Sequence, residues 1–113
     1  MLIRELAERV GARIVAGEDG LDATVTEVCA GDRISDLLAQ ASSASLVVTN
    51  LAGTSLLRTA QLMDVPAICV VGDVEPEQAM KDVAERHGIA LLVSPLNMFE
   101  TCGRLYGVLK DGQ

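Results

Sequence analysis

Aromatic side chains are almost missing from this chain. Phe99 and Tyr106 are the only two among 113 residues, and there is no tryptophan. Half of the residues are nevertheless hydrophobic, so the core must be built from Leu, Val, Ile, Ala and Met, a composition that suits a sheet covered by helices. Histidine occurs once. His87 lies between Arg86 and Gly88 at an expected helix end, where an imidazolium complements the helix dipole. One histidine and three dispersed cysteines supply no ligand set for zinc, so no metal and no cofactor are expected.

Positive charge is also scarce. Nine Lys and Arg stand against 16 Asp and Glu, giving a net charge of −7 and no basic stripe, which excludes nucleic acid as an expected partner. Cys29, Cys69 and Cys102 are odd in number and contain no Cys-x-x-Cys pair. Free thiols in a core fit a reducing, cytoplasmic setting. The opening Met1-Leu2-Ile3-Arg4-Glu5 is charged and amphipathic, unlike a secretory signal. No apolar run approaches the about 18 residues of a membrane span, so no membrane partner is expected.

Catalytic signatures are missing as well. The chain has no G-x-x-x-x-G-K-[ST] phosphate loop, no G-x-G-x-x-G fingerprint and no G-x-S-x-G elbow. Asp32 and Asp36 share a helical spacing, but a cap and a first-turn carboxylate explain them without chemistry. Cys29, at the end of an irregular strand, is the one thiol considered as a nucleophile. The expectation is a protein that binds or senses rather than an enzyme.

What is present is a regular alternation. The length fits one domain over residues 1–113. Leu2 to Val10 has helical spacing and stops at Gly11; Arg13 to Ala16 reads as a strand, Glu18-Asp19-Gly20 as a turn, and Thr24 to Cys29 as an edge strand because Glu27 interrupts it. Asp32 is placed to cap a helix with Ile34, Leu37, Leu38 and Ala41 inward, and Thr54 or Ser55 to cap one with Leu56, Leu57, Ala60 and Met63 inward. Pro76 fits the first turn of a helix that buries Ala79, Met80, Val83 and Ala84. Asn97 and Glu100 have capping-box spacing ahead of a helix whose inner face carries Met98, Cys102, Leu105, Tyr106 and Leu109. Between these helices lie the strands Ser45 to Thr49, Ala67 to Val71 and Ile89 to Val93, recurring about every 22–23 residues. That repeat implies an α/β fold with a mostly parallel sheet, flanking helices and right-handed crossovers.

In such a sheet ligands collect beyond the carboxyl ends of the strands. The loops expected there carry Asp32, Thr49, Asn50, Gly72, Ser94 and Asn97, which form the candidate ligand-binding set. Their hydroxyl, amide and carboxylate groups suit hydrogen bonding to a small polar metabolite. Capping and turn chemistry account for the same residue types.

The order of these pieces resembles the DRTGG domain family over residues 2–109. The resemblance rests on the helix into Gly11, Ala16-Gly17-Glu18-Asp19-Gly20-Leu21-Asp22, and Gly31-Asp32-Arg33-Ile34-Ser35-Asp36-Leu37-Leu38. It continues through Leu46-Val47-Val48-Thr49, Arg58-Thr59-Ala60-Gln61-Leu62, Gly88-Ile89-Ala90-Leu91-Leu92-Val93-Ser94-Pro95 and Gly103-Arg104-Leu105-Tyr106. The family's name-giving glycine pair would fall near Thr26-Glu27-Val28, where neither glycine is present. The resemblance implies a fold similar to the N-terminal domain of HPr kinase/phosphorylase, without the phosphate loop that a kinase needs. It also implies a regulatory role and dimerisation, as in some phosphate acetyltransferases and CBS-containing pyrophosphatases.

The leading expectation is therefore a non-catalytic sensory or regulatory homodimer with a small-molecule effector, a polar metabolite or nucleotide. The alternative is a protein-interaction accessory module for a redox or acetyl-metabolism enzyme complex. A Cys29-dependent enzyme is the third and least favoured.

Overall fold

A computed structural model describes residues 1–111. In chain order the elements are α1 (Ile3–Val10), β1 (Arg13–Ala16), a 3-10 helix (Glu18–Asp22), β2 (Glu27–Ala30), α2 (Ile34–Gln40) and β3 (Ser45–Thr49). They are followed by α3 (Thr54–Leu62), β4 (Ala67–Val70), α4 (Gln78–His87), β5 (Ala90–Val93) and α5 (Met98–Asp111). The five strands form one sheet in the order β1-β5-β4-β3-β2. Strands β2 to β5 run parallel, and β1 pairs antiparallel with β5 at one edge. The chain is thus the mostly parallel α/β fold that the repeat predicts.

The continuous apolar strands divide their side chains between two cores. Val47, Ile68, Val70 and Leu91 pack under α2, α3 and α4, against Leu37, Leu56, Leu57, Met80 and Ala84. Leu46, Val48, Cys69 and Leu92 turn to the other face, beneath α1 and α5, against Ile3, Leu6, Val10 and Leu105. Period-two alternation with helices on both faces explains why β3, β4 and β5 are buried at every position. Leu57, Ile68 and Ile3 are fully buried, each stabilising the fold by roughly 1.5–3 kcal/mol of transfer energy.

Glycine is required where the 3-10 helix meets the sheet. Gly17 has φ 73°, and a β-carbon there would lie 1.8 Å from the Ile89 carbonyl oxygen. Glu85 Oε2 accepts the Gly17 N–H at 2.6 Å and ties this corner to α4. The segment expected as a simple turn is therefore a packed 3-10 turn, with Leu21 in the α1 and α5 core.

Several local expectations are corrected. Asp32 makes no cap bond, because Arg33 holds the N-cap position of α2; Asp32 stays exposed in the preceding bend. Gly53 occupies the cap of α3, placing Thr54 and Ser55 inside its first turn. Pro76 precedes the Glu77 cap of α4 rather than joining its first turn. Leu38, Ala79 and Tyr106 are exposed, since the narrow sheet covers a thinner stripe of each helix than helical spacing alone suggests. Strand β2 begins at Glu27, later than expected, and does lie at the sheet edge.

Candidate functional site

Parallel pairing brings the carboxyl ends of β2, β3, β4 and β5 to one rim, so the loops after Ala30, Thr49, Val70 and Val93 are neighbours. They line an open cavity of about 550 Å³. Its polar lining is Asp32, Asn50, Gly72 and Asn97, and its apolar walls are Val71, Val74 and Met98. Four of the six residues expected at the rim therefore converge, one from each loop.

Local backbone chemistry sets this geometry. Gly72 at φ 85° and Asp73 at φ 55° reverse the chain after β4. Their N–H groups donate to Leu96 O at 2.8 Å and Ser94 O at 2.9 Å, which locks this loop to the one after β5. A left-handed residue without a β-carbon keeps the mouth of the cavity open at Gly72. Asn97 Oδ1 accepts the Glu100 N–H at 2.9 Å as the N-cap of α5, which leaves its amide NH₂ group for other partners. Among the described residues, the Glu100 side chain makes no return bond to complete the expected capping box.

Thr49 and Ser94 are not cavity residues. Thr49 is buried and its Oγ1 accepts the Leu51 N–H at 3.2 Å. Ser94, also buried, lies 2.8 Å from Thr101 Oγ1 and accepts the Leu96 N–H at 3.2 Å. Both hold the rim loops in shape from beneath. Sequence spacing places a residue at a strand end but does not tell which way its hydroxyl turns. Val71, Val74 and Met98 were absent from the expected set because apolar residues next to strands and helices read as core.

The charges around the rim are mixed. Asp32, Arg33 and Asp73 are all exposed. Further along the loop after β4, Glu75 pairs with Lys81 and with Arg13, the latter at 2.6 Å. Those hydrogen bonds, Lys81's first and Arg13's second, hold the Glu75 carboxyl below its ordinary value. Such exposed pairs position a loop more than they stabilise a fold. Among the described residues, no cluster of three His, Cys, Asp or Glu is placed to hold a metal.

The surroundings of Cys29 disfavour nucleophilic chemistry there. The residue is buried under α2, and desolvation, then the nearby Glu27 carboxylate, push its thiol up. A nucleophilic cysteine needs the opposite shift. Cys29, Cys69 and Cys102 are all free thiols. A second concavity, of about 530 Å³ between β2 and α5, contains none of the six rim residues.

With this geometry established, comparison with known proteins adds two findings. The family model described as "DRTGG domain" matches residues 5–108. The fold is similar to the crystal structure of the CBS and DRTGG domains of the regulatory region of Clostridium perfringens pyrophosphatase, complexed with activator, diadenosine tetraphosphate. The TM-score is 0.69 at 12% identity, and the match covers 92% of this chain and 45% of that one. The chain thus spans less than half the length of that regulatory structure. No curated protein sequence matches it. Among the described residues, no helix is long and apolar enough to cross a membrane.

Proposed function

Because the chain belongs to the DRTGG domain family, matched over residues 5–108, we propose that it is a non-catalytic regulatory domain that senses a small polar metabolite and works as a homodimer. A nucleotide is the best-supported effector class. The observation that carries this reading is the convergence of Asp32, Asn50, Gly72 and Asn97 on one rim cavity. Its volume of about 550 Å³ lies inside the range for small-molecule sites, about 300–1,000 Å³. Val74 and Met98 offer apolar contact to a planar ring, while Asn50, Asn97 and Asp32 offer donors and acceptors to its edges. That combination matches a nucleobase better than a bare phosphate, since the one charged side chain lining the cavity is the carboxylate of Asp32. The likeness to a regulatory region complexed with diadenosine tetraphosphate points the same way. Kinship with the N-terminal domain of HPr kinase/phosphorylase belongs to this reading too, as a domain that signals to an enzyme. The free thiols favour a cytoplasmic setting.

A thermal-shift screen with AMP, ATP, diadenosine tetraphosphate, organic acids and phosphate esters tests the proposal. An effector at about 100 times its Kd stabilises by roughly 2.7 kcal/mol, and Asn50→Ala is expected to remove the shift. A screen in which none of these compounds raises the Tm overturns it.

A second reading is favoured by the 86% exposure of Phe99 and 67% exposure of Tyr106. The chain would then be an interaction module for a redox or acetyl-metabolism enzyme. Co-purification with such an enzyme in the absence of any small molecule would favour this reading over the first.

A further inference from the structure

The chain's only two aromatic residues stand seven positions apart on one exposed stripe of α5. That stripe borders the free edge of the sheet. Among the described residues, strand β2 pairs only with β3. The N–H groups of Glu27 and Gly31 donate to Ala44 O and Val48 O. By strand alternation, the N–H and C=O groups of Val28 and Ala30 therefore point away from the sheet. The groove of about 530 Å³ has this free edge as one wall and Cys102, Tyr106 and Leu109 of α5 as the other, with Lys110 at its end. The carboxylate that would blunt the edge, Glu27, is instead held by Ser42 and Ser45.

We infer that this edge and the α5 stripe form the interface with a second copy of the chain, β2 pairing antiparallel with β2 of its twin across a two-fold axis at Cys29. This deepens the homodimer reading proposed above and rests on it. Two features of the surface select a second copy as occupant. The first is spacing. α5 lies over both β2 and β3, so in a continuous sheet the two α5 helices would run about 10 Å apart, at twice the strand spacing of about 4.8 Å. Helices pack at about 8–10 Å, so the two exposed stripes would meet and cover Phe99 and Tyr106.

The second is charge. With Val28 opposite the partner subunit's Ala30, both outward peptide groups are used reciprocally, and Glu27 faces the partner subunit's Gly31 rather than a second carboxylate. α5 runs from the rim, where Met98 borders the same cavity as Asp32, back toward Thr26, where Lys110 closes the groove. The two-fold axis then sets Lys110 level with the partner subunit's Asp32, an opposite-sign pair made twice. Both residues are exposed. Asp32 also lines the rim cavity.

Sedimentation equilibrium on the full chain, with and without two substitutions, tests the inference. Ala30→Pro removes an N–H that serves no bond within the sheet, so the single chain keeps its ladder. Tyr106→Glu alters an exposed helix position. Wild type is expected at twice 11.9 kDa in the micromolar range. Both variants are expected at the single mass with unchanged circular dichroism. A wild type that stays at 11.9 kDa up to high micromolar concentration overturns both the dimer and this surface. A dimer left intact by both folded variants overturns this surface alone. Neither result touches effector binding, which the thermal-shift screen reads separately.

Discussion

Ser45 Oγ donates a hydrogen bond to Glu27 Oε1 at 2.7 Å, tying the first residue of the edge strand to the first residue of β3. Ser42 Oγ reaches the same oxygen at 2.9 Å. The Ser45 bond first, and the Ser42 bond second, hold the Glu27 carboxyl below its ordinary value of 4.5. A carboxyl lowered in the folded state stabilises fully above its unfolded value and loses that contribution as pH falls through its folded value. Ser45→Ala should therefore lower the Tm at pH 7. The gap from wild type should narrow below pH 4.5, the ordinary value. Thermal melts at pH 7, 4.5 and 3 check this, and a gap that does not change with pH contradicts it.

Gly17 should tolerate no side chain. Its φ of 73° and the 1.8 Å separation that any β-carbon would have from Ile89 O act together. The left-handed backbone alone costs about 1–2 kcal/mol for an L-residue, and relieving the clash requires moving β5 or the 3-10 turn. Gly17→Ala is expected to destabilise by at least about 2 kcal/mol in urea unfolding. Gly103→Ala, in α5 with open space around it, should be neutral or slightly stabilising.

Cys69 sits at the centre of the sheet, and its thiol is pushed up to about 12, by burial first and by the neighbouring Cys102 second. Its thiolate is therefore scarce at any ordinary pH. Iodoacetamide at pH 8 should leave Cys69 unlabelled in the native protein and label it fully in denaturant, as read by peptide mass spectrometry. Labelling of native Cys69 at the rate of a free thiol would contradict the packing described.

Asn97 has two separable roles. Its Oδ1 caps α5, and the residue lines the rim cavity. Asn97→Ala should cost about 1 kcal/mol of stability through the lost cap. Asn97→Asp keeps the acceptor, so stability should hold while affinity for a nucleotide falls, because the amide donors are gone. Urea unfolding and calorimetric titration with diadenosine tetraphosphate read the two effects independently.

The sheet was legible in the sequence because its signal is long-range and redundant. Val47, Val70 and Leu92 fall in three buried strands separated by helices, and a helical crossover between successive strands is the connection that parallel pairing uses. The rim follows from that topology, which is why Asp32, Asn50, Gly72 and Asn97 can be named from residue order alone. Finer placement depends on backbone angles that residue types do not encode. Arg33 and Gly53 take the cap positions expected for Asp32 and for Thr54 or Ser55. Thr49 and Ser94 turn inward to bond the loop backbone. Tyr106 reads as core by helical spacing, yet it is 67% exposed, and that mismatch is the feature from which the α5 interface is inferred.

The proposed effector would bind at the rim formed by the loops after β2, β3, β4 and β5. Backbone amide chemical-shift mapping during titration with diadenosine tetraphosphate, and separately with AMP, tests it most directly. Saturable shifts centred on Asp32, Asn50, Gly72 and Asn97, and lost in Asn50→Ala, are the predicted result. Shifts confined to other surfaces, or none at millimolar ligand, would contradict it.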